Sequence, residues 1–176
     1  MRKRVITINR APDFSGMLEA LKRDQMRYAK VTAVNFFKER FFEQGWLDVS
    51  FEAWEGRKHN DRPGGAILTQ TGNLRDSIRV LQETGRKITF GTEAPYAEIH
   101  NSGGVIVIHP TTRMKRFFWY MFKATGQQRY KWMALSKDPF RITIPKRQFI
   151  GESGALMDDF DTWLKGEIIR RFQALI

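Results

Sequence analysis

Apolar positions near the N-terminus recur at the spacing of one helix face. From Phe14 to Phe42 the large apolar side chains fall mostly three or four residues apart, which is the repeat of an amphipathic α-helix. Asp13 or Ser15 can cap the first turn, and Gly45 lies just beyond the last one. The pattern predicts one long helix across this interval.

The last part of the chain predicts a second amphipathic helix. Ser153 is placed to cap its start, and acidic residues precede basic ones along it, as the helix dipole favours. Its apolar stripe consists of Leu156, Phe160, Leu164, Ile168, Phe172 and Leu175.

Between these helices the apolar runs are shorter and rich in β-branched residues. "IRVLQE" and "KITFGT" flank the turn "ETGR", where Gly85 is available for a positive φ, and this arrangement predicts a hairpin. "GGVIVIHP" and "FRITIP" are further strand-like runs, which stop at Pro110 and Pro145. We expect one small antiparallel sheet covered by the two helices, which is an α+β fold.

Two segments interrupt this scheme. Residues 44–68 mix isolated aromatic residues with charges and a Pro-Gly-Gly break, so we predict a long loop there. Residues 111–136 separate the last two strands and predict an inserted segment of one or two short helices, broken at Gly126. The length of 176 residues suits a single domain spanning 1–176.

Composition narrows the setting of the protein. No run approaches the roughly 20 apolar residues that span a bilayer, and the N-terminal "MRKRVITINRAPDF" lacks the apolar core of a signal peptide. With no cysteine, the chain has neither disulfides nor thiolate ligands or nucleophiles. We therefore expect a soluble protein that is made in a reducing cytoplasm, is not exported and has no membrane contact.

The net charge of +11 favours an anionic partner, and the cations are concentrated in one segment. Between Glu98 and Asp138 there is no carboxylate, while residues 113–137 interleave cations such as Lys115 and Arg116 with aromatic residues such as Trp119. Cations for phosphates and rings for bases are the components of single-stranded nucleic-acid binding. A helix whose rings pack inward and whose cations are solvated explains the same pattern, and we favour it.

Glu98 and His100, with His109 nearby, raise the possibility of a metal or acid/base site. Catalytic metal sites usually draw three protein ligands, and the only other histidine is His59. The chain has no HExxH, GxSxG or phosphate-loop motif. A hydrogen-bonded structural corner fits the same residues better, so we predict no enzyme activity, no metal and no cofactor.

Three sequence blocks carry a family resemblance. "ILTQTGNLRDSIRV" at 67–80, "GTEAPYAEIHNSGG" at 91–104 and "IPKRQFIGES" at 144–153 occur in that order after a long helix and a Gly-Trp pair. The chain thereby resembles the virion morphogenesis, or tail completion, proteins of tailed phages, similar to the Mu and P2 types. The N-terminal extension and the large basic insertion depart from that pattern.

The resemblance implies a non-enzymatic structural protein that completes the tail or the head–tail junction. It implies a homo-oligomer, often a ring, that contacts other neck or tail proteins, lies close to DNA, and is found in the virion after assembly in the bacterial cytoplasm. The alternative is a nucleic-acid-binding module that uses residues 113–137.

Candidate contact residues lie in two of the blocks and in the insertion. In the 91–104 block we expect Tyr96 to anchor a short helix on the core, His100 and Asn101 to face outward, and Gly103 to act as a hinge. The other predicted partner contacts are Lys115, Arg116, Trp119 and Arg147, and the predicted structural anchors are Pro145, Phe149 and Ile150.

Overall fold

The computed structural model describes residues 12–57 and 64–175. Within these ranges there are six helices, namely α1 (Phe14–Glu43), α2 (Asn73–Asp76), α3 (Ala97–Ser102), α4 (Thr112–Thr125), α5 (Gln128–Leu135) and α6 (Gly154–Leu175). The strands in the same ranges are β1 (Gly45–Leu47), β2 (Phe51–Ala53), β3 (Arg79–Thr84), β4 (Lys87–Gly91), β5 (Gly104–Ile108) and β6 (Phe140–Ile144). The predicted α+β class is confirmed. Three parts of the sequence discussed above lie outside the described residues: the first eleven residues, His59, and Pro63, where the predicted Pro-Gly-Gly break begins.

The chain divides into two compact units. The first unit consists of Met1–Ala94 and Phe149–Ile176, and the second unit consists of Pro95–Gln148. The predicted insertion 111–136 lies in the second unit, together with the corner at α3 and the strands β5 and β6.

The core of the first unit is built largely from aromatic side chains. Phe41 is buried in α1, where its ring meets Trp54 at 5.5 Å and Phe149 at 5.1 Å between centroids. Phe37, one turn earlier, packs against Trp46. Because each such ring stabilises the fold by about 1.5–3 kcal/mol when it leaves water, this cluster holds α1 to the chain that follows it and to the start of the C-terminal segment.

The end of α1 departs from the predicted cap. The Oδ1 atom of Asp13 accepts the N–H of Gly16 at 2.9 Å, as predicted for its start. At its end Gln44, not Gly45, adopts the left-handed conformation, with φ of 60°. Gly45 is required for a different reason, since a Cβ atom there would lie 2.6 Å from the carbonyl oxygen of Glu52.

A hairpin of β1 and β2 occupies the start of the segment predicted as a loop over 44–68. Trp46 pairs with Glu52 in an antiparallel register. The turn of this hairpin reaches the start of α6, where Asp48 Oδ1 accepts the N–H of Gly154 at 2.6 Å. The hydroxyl of Ser153 accepts the N–H of Leu156 at 3.2 Å, so Ser153 caps α6 as predicted.

The predicted single sheet is wrong in detail. The described strands form three separate two-stranded antiparallel sheets, β1–β2, β3–β4 and β5–β6. A register shift between Val80 and Gln82 interrupts the β3–β4 hairpin, and Gly85 in its turn does not take a positive φ. Strand runs read singly from the sequence do not show which of them pair, because pairing depends on contacts distant along the chain.

The second unit combines one ribbon with a helical hairpin. β5 and β6 pair in continuous register from Gly104 opposite Ile144 to Ile108 opposite Phe140. α4 and α5 lie between them in sequence, joined at Gly126, whose φ of 69° ends α4. The break at Gly126 agrees with the prediction.

Candidate functional site

The corner at α3 is ordered differently from the prediction. Tyr96, the residue before α3, is 44% exposed, and Ala97 is the residue of this turn that is buried. Tyr96 therefore does not anchor the turn by burial. Its ring instead meets the imidazole of His100 edge-on, with 6.2 Å between centroids.

His100 does not face outward as predicted, and Asn101 is also half-buried. The Nδ1 atom of His100 is buried without a hydrogen-bond partner, and its backbone carbonyl accepts the N–H of Arg147 at 2.8 Å. Burial, followed by the nearby Arg147 charge, lowers the pKa of His100 below its ordinary value. The residue joins the start of the second unit to its end.

Gly103 is a close-packed position and not a loose hinge. Its φ is 73°, and a Cβ atom there would lie 2.8 Å from the backbone nitrogen of Lys146. Only glycine combines this conformation with this approach at low cost. The turn therefore fixes how β5 starts beside the end of β6.

Arg147 is buried, with 8% of its surface exposed. A buried guanidinium is not available to a second protein, so the partner contact predicted for Arg147 gives way to a role within the fold. The surrounding sequence, in which Lys146, Arg147 and Gln148 form a polar run, does not distinguish these two roles.

Helix α4 has an inner and an outer face. Phe118 meets the ring of Phe140 at 5.9 Å, and Met114 and Phe122, one turn to either side, are half-buried. This inner stripe agrees with the packing predicted for the insertion. Lys115 is half-buried, whereas Trp119 is 37% exposed.

The outer face of α4 presents cations and rings together. Phe117 is 55% and Tyr120 is 67% exposed. Residues three and four apart share a helix face, and the exposed residues follow that spacing. We call this set the basic aromatic face; it consists of Arg113, Arg116, Phe117, Tyr120 and Lys123.

The β5–β6 ribbon is an apolar surface that the sequence did not identify as a site. Val105, Ile106 and Val107 are consecutive and all exposed, and so is Ile142 on the partner strand. Consecutive strand residues point to opposite faces, so both faces of the ribbon are open. A strand-like apolar run does not by itself reveal whether anything covers it.

The predicted anchors end β6 and return the chain to the first unit. β6 stops at Ile144, directly before Pro145. Phe149 is buried against Phe41 of α1, while Ile150 is only half-buried. Phe149 is therefore the principal anchor of the pair.

Glu98 and His100 are not part of a metal-binding cluster in the described part of the chain. Glu98 accepts a hydrogen bond from Ser102 at 3.4 Å, a contact within α3. Across residues 12–57 and 64–175 no three His, Asp or Glu side chains come together as a metal site requires. In the same ranges no helix is long and apolar enough to cross a bilayer.

Comparison with known proteins gives a family. Neither a curated protein nor a solved structure matches the chain. A family model described as the phage virion morphogenesis family matches residues 43–160. This range includes all four strands of the first unit and the whole second unit. The chain therefore belongs to the phage virion morphogenesis family, with a structural or assembly role in the phage particle.

Proposed function

We propose that the protein completes the tail or the head–tail junction as a non-enzymatic structural subunit. In this proposal it forms a homo-oligomer, such as a ring, and contacts other neck or tail proteins of the virion. Family membership supports an assembly role. The surface of the second unit supports contact with proteins.

The observation that carries the proposal is the exposed apolar ribbon. Val105 is 52%, Val107 is 44% and Ile142 is 45% exposed. A two-stranded ribbon is marginally stable by itself and leaves unpaired backbone groups along its edges. Exposed apolar faces beside such edges are typical of surfaces that other protein chains cover.

The experiment uses a phage that lacks this gene product and is complemented from a plasmid. We expect the wild-type protein to restore joined particles, counted by electron microscopy, and to be found in purified virions by mass spectrometry. Val105→Lys should leave the fold intact but lower the number of completed particles at least tenfold, because a charge on the ribbon opposes its burial.

The matched control is Val31→Lys, a similarly exposed valine on α1 (57% exposed). It adds the same charge outside the ribbon and should complement normally. Normal completion by a folded Val105→Lys variant would show that the ribbon is not the assembly surface.

A further inference from the structure

We infer that a groove on the first unit binds the basic aromatic face of a second copy of this chain. The inference rests on the proposed function, because it names the partner surface within the homo-oligomer. Two surfaces carry it, one apolar with an acidic rim and the other aromatic with cations.

The floor of the groove is apolar. One cavity of about 180 Å³ opens between α1, β4 and α6. Its lining consists of Ala29, Thr32, Ala33, Phe90, Leu156, Met157 and Phe160. A second cavity of about 600 Å³ shares Phe90, Leu156 and Met157 with the first, so the two form one continuous groove along the N-terminal half of α6.

Carboxylates border this floor. Glu152 lines the second cavity and is exposed. Asp161 lies one turn after Met157, on the same side of α6, with Asp158 three residues before it. We call Glu152, Asp158 and Asp161 the acidic rim; none of the three forms a side-chain hydrogen bond or ion pair among the described residues. The floor also exposes Met157, at 58%.

The basic aromatic face is complementary to the groove. Phe117 and Tyr120 supply apolar area for the floor, and Arg113, Arg116 and Lys123 stand beside them to meet carboxylates. A helix that places one face in an apolar groove is a common mode of protein recognition. The flanking charges then determine its orientation.

The charges of the basic aromatic face and the acidic rim support pairing between copies. Residues 95–148 hold ten Lys and Arg against two Asp and Glu, a net charge of +8. The first unit is also net positive over its full sequence, with twenty Lys and Arg against seventeen Asp and Glu, a net charge of +3. The attraction is therefore local, between the three cations of the basic aromatic face and the three carboxylates of the acidic rim, whereas two such faces brought together would oppose charges of the same sign.

Such a contact is heterologous, because each copy uses a different surface on either side. A heterologous contact continues from copy to copy and closes into a ring when its rotation permits. A second copy is thus the occupant that agrees with both the charge distribution and the proposed oligomer.

The test compares two charge-reversed variants of the full chain by native mass spectrometry. The face variant is Arg113→Glu, Arg116→Glu and Lys123→Glu, and the rim variant is Glu152→Lys, Asp158→Lys and Asp161→Lys. We expect each one alone to be monomeric at concentrations where the wild type is assembled. An equimolar mixture of the two should recover oligomers, because each reversed face then meets a reversed rim.

A chain carrying all six changes should also assemble. The matched control reverses Arg23, Arg86 and Lys87, three exposed cations outside both the face and the rim, and should assemble as the wild type does. Thermal melts verify that each variant is folded. If the face variant is unfolded, Phe117→Ser with Tyr120→Ser replaces it, and this variant should also be monomeric.

Several results would overturn the inference. One is assembly by either reversed variant alone. Another is recovery of oligomers by the six-change chain but not by the mixture. That result would mean that the face contacts the rim of its own copy. Failure of both the mixture and the six-change chain to assemble would equally reject the pairing.

Nucleic-acid binding is the competing result. In that case the wild type binds oligo-dT in a salt-sensitive way, the face variant loses this binding and the rim variant keeps it. If both variants also form the same oligomers as the wild type, the face binds nucleic acid. A wild type that stays monomeric at all concentrations would reject this inference. The particle count in complemented phage would still decide the proposed function separately.

Discussion

Phenylalanine residues occupy two opposite environments in this protein. Phe149 is 1% exposed and packs on Phe41, whereas Phe117 is 55% exposed on the outer face of α4. The same residue type therefore stabilises the fold at one position and is available for recognition at the other. Substitutions at these two positions separate the two roles.

We expect Phe149→Ala to lower the free energy of unfolding by about 3–5 kcal/mol, because it leaves a cavity in the core of the first unit. Urea denaturation followed by tryptophan fluorescence measures this loss. Phe117→Ala is the control, and its stability should stay close to that of the wild type. A loss below about 1 kcal/mol for Phe149→Ala would contradict the anchoring role.

His100 gives the fold a pH dependence of defined sign. Burial and Arg147 lower its pKa in the folded state below about 6.5, the usual unfolded value. As the pH falls, the unfolded chain binds a proton at His100 before the folded chain does. The stability that neutral His100 contributes is therefore complete above pH 6.5 and is lost as the pH falls through the lowered folded pKa.

The melting temperature should therefore fall between pH 7.5 and pH 5 in the wild type, and fall less in His100→Gln. His109→Gln controls for the removal of a histidine. The pKa of Glu167 is lowered to about 2 from 4.5 by Arg170 and Arg171, so its contribution is lost only at more acidic pH. Equal pH dependence in the wild type and His100→Gln would contradict this account.

Two glycines with similar backbone angles test the role of close packing. Gly103 has φ of 73° and backbone atoms of Lys146 around it, while Gly126 has φ of 69° and open space. Alanine at Gly126 should cost about 1 kcal/mol, from the left-handed conformation alone. Gly103→Ala should cost clearly more because Lys146 must also move, and equal losses in thermal melts would contradict this.

The start of α6 shows how separate elements are joined. Ser153 is buried, and its hydroxyl accepts the N–H of Leu156 and donates to the carbonyl of Leu47 at 2.8 Å. Asp48 of the β1–β2 turn accepts a further N–H from this helix end. The cap thus ties α6 to a hairpin more than 100 residues earlier in sequence.

Ser153→Ala should lower the free energy of unfolding by about 1–2 kcal/mol, because it removes the cap and leaves the carbonyl of Leu47 without this donor. Ser15→Ala, at an exposed serine in the first turn of α1, is the matched control and should cost much less. Chemical denaturation decides between them, and equal losses would mean that the cap contributes little.

Sequence patterns identified elements better than the contacts between them. The spacing of apolar residues located α1 and α6, and proline located the end of β6, because these signals are local along the chain. The β1–β2 hairpin was missed because each strand has only three residues. The burial of Arg147 and the groove beside Met157 depend on residues distant in sequence, which a single sequence does not pair.

The division into two units also predicts how the chain responds to excision. Residues 100 and 147 are joined by a backbone hydrogen bond of 2.8 Å, so a short Gly-Ser link can replace residues 101–146. We expect the shortened chain to keep the helical circular dichroism of α1 and α6 and a cooperative melt, because the aromatic core of the first unit is retained.

The shortened chain should be monomeric, since both the ribbon and the basic aromatic face are removed. Analytical ultracentrifugation at matched concentrations compares it with the full chain. Loss of the cooperative melt would show that the first unit depends on the second for folding. Assembly of the shortened chain would place the oligomer contact entirely in the first unit.

The hydrogen bond between His100 and Arg147 also bears on how this protein can vary. When the two ends of a segment are held together by a hydrogen bond, the segment can be lengthened with little entropic penalty. The penalty is about 0.6 kcal/mol for each doubling of a flexible loop. Insertions are tolerated best at exposed loop positions where they leave such backbone hydrogen bonds intact. The segment between residues 100 and 147 can therefore change in length and sequence while α1 and α6 keep theirs.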